Sequence, residues 1–128
     1  MIAAGEQAAE AKELFTLQGM ISERYRDEGK RDRRALVSLI AGYFLRNRTI
    51  HLLTQVQEIR LDGPDRAEVA FYLGAAGQHV DDLAALIPLR ADLFRVDLVA
   101  AREDGDWRVL SARWRRAEQS EILKRLIQ

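Results

Sequence analysis

Two aspartates, one histidine and three tyrosines are the side chains best suited to acid–base chemistry in this chain. Asp92 and Asp97 stand in an otherwise β-forming run. Successive strand side chains point to opposite faces, so these two cannot share one face of a regular strand. Asp97 travels with Leu93 and Val99, and Asp92 with Phe94 and Val96; the pattern leaves open which set faces inward. A buried carboxylate there would have a raised pKa and could serve as a general acid or base. The plainer reading, which we prefer, is an exposed cross-strand partner for Arg95, Arg113 or Arg115. His51 opens a strand-like run and could act as a base, although a strand-edge or core role is the more economical reading. His79 falls in a linker and is expected to be exposed. Tyr25, Tyr43 and Tyr72 each bury a ring and offer a hydroxyl, either to a pocket or at its rim.

The elements that must position these groups change period halfway along the chain. Residues 3–18 carry Ala8, Ala11, Leu14 and Phe15 at helical spacing among good helix formers, with Gly19 as a C-terminal cap. A short helical turn is expected over 21–25, with Ser22 as its N-cap. Asp27-Glu28-Gly29 breaks it. Asp32 then caps an amphipathic helix to about Arg46, whose stripe is Leu36, Val37, Leu39, Ile40, Tyr43 and Phe44. Arg46, Asn47 and Arg48 suit its negative dipole end.

Strand patterns follow. Residues 49–61 alternate imperfectly and imply a strand with a bulge. Asp62-Gly63-Pro64-Asp65 is a turn, and 66–73 alternate cleanly. Residues 74–88 form a linker with a helical turn expected at 81–86. Asp104-Gly105 then joins two alternating runs, 89–102 and 106–116; this dipeptide is a strong signal for a type I′ hairpin, which needs φ > 0 at both central residues. Residues 118–127 read as a short terminal helix. Helices followed by strands imply a single α+β domain over 1–128, with helices at 3–46, strands at 49–116 and a helical tail.

Composition limits the function classes. Lys plus Arg and Asp plus Glu are 20 each, giving zero formal charge, whereas nucleic-acid binders usually show a basic excess. No nucleic-acid partner is expected. There is no cysteine, which removes disulfides, thiol catalysis and cysteine–zinc sites. With two histidines, a metal site is not expected, nor is a cofactor. No apolar run is long enough to span a membrane. Met1 to Glu6 shows no basic n-region, so no signal peptide is expected. The chain as written is read as cytoplasmic, or as periplasmic or membrane-anchored if residues precede it. Arg108, Arg113, Arg115 and Arg116 form one basic stripe, and Arg24, Arg26, Lys30, Arg31, Arg33 and Arg34 form another. Both could meet phosphate, but interleaved Glu23, Asp27, Glu28 and Asp32 favour solvated ion-pair faces.

The order of elements resembles the nuclear transport factor 2-like (NTF2-like) superfamily, a cystatin-like cone in which a curved sheet wraps a long helix. Three stretches carry the likeness: Ile21-Ser22-Glu23-Arg24-Tyr25-Arg26-Asp27-Glu28-Gly29, the helix from Arg33 to Phe44, and the final hairpin with Gly105-Asp106-Trp107-Arg108-Val109. Uncharacterised bacterial members look similar. The resemblance implies an apolar pocket between the concave sheet face and the helices, and a homodimer through the outer face. It makes Tyr25, Tyr43, Tyr72 and Trp114 candidate ligand contacts, and Asp97, Asp92 and His51 candidate catalytic groups. Trp107 and Trp114 have opposite parity, so one is expected in the core and the other on the outer face. There Trp114 with Leu110, or Trp107 with Val109, could form a dimer patch. The resemblance spans binding or assembly modules and acid–base enzymes of ketosteroid isomerase-like or polyketide cyclase-like type. In the isomerase-like members a tyrosine and a protonated carboxylic acid stabilise an enolate. We expect a binding or interaction module, with a small enzyme acting on an apolar substrate as the alternative.

Overall fold

The computed structural model describes residues 2–77, 92–118, 120 and 121. Three helices, α1 (Ile2–Glu10), α2 (Leu14–Gly19) and α3 (Arg33–Arg46), precede four strands, β1 (His51–Leu61), β2 (Arg66–Ala76), β3 (Asp92–Glu103) and β4 (Asp106–Arg116). The strands form one antiparallel meander in the order β1-β2-β3-β4. His79 and the turn expected at 81–86 lie outside the described residues. So does most of the tail expected at 118–127, of which Ser120 and Glu121 are seen as helical.

Local chemistry explains the boundaries. Asp32 sits in an extended conformation and its carboxylate accepts from the Ala35 amide at 2.9 Å, the N-cap of α3. Asp104 and Gly105 both have positive φ, 52° and 83°, as the tight β3–β4 turn requires. β1 carries its irregularity between Val56 and Glu58.

The linker and the first helix need correction: β2 runs on to Ala76, so residues 74–76, expected in the linker, are strand. The single helix over 3–18 is broken at Lys12, which has φ 56°. The Glu13 amide bonds the Ala8 carbonyl at 2.8 Å and the Lys12 amide bonds Ala9 at 3.0 Å, a Schellman ending with lysine where glycine is usual. The left-handed residue costs roughly 1–2 kcal/mol. In return the Lys12 ammonium reaches the end of α3, donating to the carbonyls of Phe44 (3.0 Å), Asn47 (2.5 Å) and Arg48 (2.9 Å). The helical turn expected at 21–25 forms as one turn: the Tyr25 amide donates to the Ser22 carbonyl at 3.0 Å and the Arg24 amide to Ser22 Oγ at 3.0 Å, as expected of a cap. It does not lengthen into a helix, because the segment also runs along β4: Ser22 donates its amide to Val109, Val109 donates to Met20, and Arg26 donates to Leu110.

A β-bulge between Val99 and Ala100 sets the faces of the hairpin. Ser111 pairs with Val99 and Val109 with Ala100, so Leu110 is the extra residue. The bulge reverses the parity of β4 on passing it. Trp107 therefore packs against Val69, Phe71, Leu98 and Ala100, while Trp114 packs against Ile21, Tyr25 and Leu36. Both tryptophans lie on the concave, helix-covered side, which corrects the expectation that one faces outward. Neither an outer Trp114–Leu110 nor an outer Trp107–Val109 patch exists.

Candidate functional site

The concave face and α3 do not close completely on each other. Leu36, Leu39, Ile40, Tyr43 and Phe44 of α3 face Leu73, Phe94, Val96, Ala112 and Trp114 of the sheet across a cavity of about 330 Å³. Along α3 only Leu36 and Phe44 are buried, and Leu39, Ile40 and Tyr43 between them line the gap. Among the lining side chains only Tyr43 and Arg46 are polar, and none is a carboxylate. Ligand sites have this character, mostly apolar with a few placed polar groups.

One hydrogen-bonded pair stands at the edge of this cavity. The Tyr43 hydroxyl donates to Asp92 Oδ2 at 3.1 Å. Arg116 holds the other carboxylate oxygen at 3.3 Å and lies over the Phe94 ring, 5.6 Å from its centre. Burial, and then the Asp92 charge and the bond to it, push the Tyr43 phenol up to about 12, against the pull of Arg116 and Arg46. The hydroxyl is therefore a donor at neutral pH. Asp92 shares its face with Phe94 and Val96, which answers the question of parity that the sequence left open.

The remaining candidates lie elsewhere. Asp97 is on the opposite face of the sheet, 3.3 Å from Arg95 and paired across the strands with Arg113. It sits in a polar groove of about 280 Å³ lined by Glu58, Arg60, Glu68 and Arg113 among others. Those charges answer one another, Arg60 with Glu68 at 2.5 Å and Arg113 with Glu28 at 3.6 Å. Tyr72 is also on that outer face, buried under the start of the C-terminal segment. Its hydroxyl donates to Glu121 at 2.8 Å and its ring carries the Arg95 guanidinium at 5.4 Å. His51 stands at the start of β1, with Nδ1 3.7 Å from Glu10 at the end of α1.

Tyr25 is buried in the α2–α3 loop and not at the cavity. Its hydroxyl donates to Asp27 Oδ2 at 2.8 Å. Asp27 Oδ1 accepts from the Arg31 amide at 3.1 Å, and the Arg31 guanidinium lies 3.4 Å from both oxygens. That guanidinium covers the Trp114 ring at 5.1 Å. Gly29 makes room for it: a Cβ there would lie 2.5 Å from Arg31 Nη1. Burial opposes the charged form of Asp27, yet the Arg31 amide, the Tyr25 hydroxyl and the Arg31 guanidinium together hold its carboxyl below the usual range. Burial first, and then Asp27, raise the Tyr25 phenol. The loop is thus pinned against the outer end of the cavity wall.

The structure brings Tyr43 and Trp114 to one cavity, with Asp92 bonded to Tyr43 at its edge. It does not bring Tyr25, Tyr72, His51 or Asp97 to it. Sequence reasoning passed over Arg46 and Arg116 as contributors. Arg116 looked like part of a basic stripe, and only the register that sets it opposite Phe94 reveals its link to Asp92. Among the described residues no group of three or more His, Asp or Glu could hold a metal ion, and no helix is long and apolar enough to cross a membrane.

No model of a known protein family matches the sequence, and no curated protein does. Solved structures do. An uncharacterised protein with a cystatin-like fold from Caulobacter vibrioides superposes with a TM-score of 0.70 at 13% identity, covering 98% of this chain and 91% of that one. An NTF2-like protein of unknown function from Pseudomonas putida gives 0.67 at 12% identity, covering 94% and 84%. Bd1075 from Bdellovibrio bacteriovorus gives 0.69 at 12% identity; the match covers 92% of this chain but only 38% of that longer one. At these identities the likeness concerns the fold. The chain has the NTF2-like, cystatin-like fold, an α+β cone in which three N-terminal helices pack on a curved four-stranded antiparallel sheet.

Proposed function

We propose that this protein is a small-molecule-binding module whose ligand places an apolar body between α3 and the concave face of the sheet. The observation that carries the reading is the cavity of about 330 Å³ whose lining is apolar except for Tyr43 and Arg46. Catalysis by general acid and base would need a carboxylate free to exchange protons with a substrate in that space. Asp92, the nearest candidate, is engaged by both Tyr43 and Arg116. Calorimetric titration with decanol tests the proposal. Saturable binding by the natural chain, weakened about fiftyfold by Ala112→Leu, is expected. The leucine adds three carbons to the cavity wall, at about 0.8 kcal/mol of lost contact per displaced methylene. No saturable binding to the natural chain would overturn the reading.

A second reading rests on the Tyr43–Asp92 bond itself. In a small acid–base enzyme of isomerase-like or cyclase-like type, Asp92 would carry the proton and Tyr43 would donate to a developing oxyanion. Solvent deuterium entering the carbon next to the carbonyl of an apolar cyclic ketone, and ceasing in Asp92→Asn, would favour it over the binding module.

A further inference from the structure

Arg46 is the single charged side chain among those lining the apolar cavity. Its position at the end of α3 suggests a cation meeting the helix dipole, but other groups already take the carbonyls there. Lys12 holds Phe44, Asn47 and Arg48, and the Asn47 amide donates to the Tyr43 carbonyl at 2.9 Å. Arg46 instead folds back along the helix, where a Cβ at Gly42 would lie 3.4 Å from its Nη1. It forms no ion pair with any described residue. Tyr43 stands three residues before it on the same helix face. The neighbouring cation, Arg116, is already shared between Asp92 and the Phe94 ring. The cavity edge thus combines one satisfied triplet of Tyr43, Asp92 and Arg116 with one uncommitted guanidinium.

We infer that the ligand is an amphiphilic monoanion, an apolar body carrying one carboxylate that the Arg46 guanidinium receives at the cavity edge. This rests on the binding reading above and names its ligand class. Guanidinium matches a carboxylate with two parallel N–H donors. The volume of about 330 Å³ lies at the small end of the range for small-molecule sites. A medium-chain or small cyclic acid fits that limit, with its carboxylate outside the apolar space. A neutral ligand of the same body would leave Arg46 without a role, and a dication would meet its charge.

The test is calorimetric titration of the natural chain, Arg46→Gln and Arg48→Gln with decanoate and with decanol, below their aggregation concentrations. Arg48 is an exposed cation two residues on that does not line the cavity. Decanoate is expected to bind the natural chain about tenfold more tightly than decanol, a difference of about 1.4 kcal/mol. Arg46→Gln should erase that difference while leaving decanol within about twofold, and Arg48→Gln should keep it. Equal affinity for decanoate and decanol in the natural chain overturns this inference and leaves the binding module standing. Equal losses in Arg46→Gln and Arg48→Gln also overturn it, since general surface charge then accounts for the preference. Failure of both ligands to bind the natural chain overturns the binding reading and this inference with it.

Discussion

All three tyrosines of this chain donate to a carboxylate, and their surroundings make the three pairs physically different. Tyr25 with Asp27 is sealed inside a loop, with the Asp27 side chain only 2% exposed and Arg31 completing it. Tyr43 with Asp92 stands beside an apolar cavity, and its Asp92 side chain is 35% exposed. Tyr72 with Glu121 closes the outer face under the C-terminal segment. Residue types and bond lengths barely distinguish them, at 2.8, 3.1 and 2.8 Å. What separates a structural pin from a candidate site is the space next to the pair. Among the described residues, Tyr43 is the tyrosine that lines the apolar cavity.

The sealed pair should give the largest effect when broken. Asp27→Ala leaves the Tyr25 hydroxyl buried without its acceptor and removes the anion beneath Arg31. A buried donor left without its acceptor costs about 1–3 kcal/mol and the lost pair with the 40% exposed Arg31 adds a little, so urea unfolding should register a loss of about 2–3 kcal/mol. Tyr25→Phe removes only the donor and should cost about 1–2 kcal/mol. If Asp27→Ala unfolds no more easily than Asp92→Ala, the contrast between sealed and open pairs fails.

The outer pair can be separated from the other two by pH. Arg115 donates to Glu121 at 2.6 Å, and although burial opposes it, this bond together with Tyr72 holds the Glu121 carboxyl at about 2. In the unfolded chain that carboxyl titrates near its ordinary 4.5. A group with a depressed folded pKa contributes stability that is present above the unfolded value and is lost as pH falls through the folded one. The melting temperatures of the natural chain and Glu121→Gln should therefore differ most above about pH 5 and converge towards pH 2. A difference that stays constant across this window would show that Glu121 acts through packing rather than through its charge.

The fold was legible because its signals are local. Asp32 before an apolar stripe and Asp104-Gly105 between alternating runs each act within a few residues, and each formed as its chemistry dictates. The site was only partly legible because it depends on events far apart in sequence. The bulge at Leu110 turns both tryptophans inward, and no single-strand alternation reveals an extra residue. Lys12 breaks a helix-forming run to reach carbonyls more than thirty residues away. That displacement is also what leaves Arg46 without its expected task at the helix end. The outer face, expected to carry a tryptophan, carries paired charges instead. A homodimer through that face would have to meet those charges rather than an apolar patch.

The smallest change in stability is expected where the functional consequence is sharpest. Tyr43→Phe removes a hydroxyl whose acceptor Asp92 keeps Arg116 and stays partly exposed to water. A half-exposed hydrogen bond of this kind contributes less than about 1 kcal/mol, because water replaces the lost donor. The phenyl ring still lines the cavity, so the binding module should keep its affinity for decanol within about twofold. An acid–base enzyme should respond differently. There the hydroxyl would be a preorganised donor to an oxyanion, and losing such a donor lowers turnover about 10²–10³-fold. Tyr43→Phe therefore divides the two readings with a variant that folds like the natural chain. Unchanged decanol binding with no ketone exchange in either protein favours the module, and exchange lost along with the hydroxyl favours the enzyme.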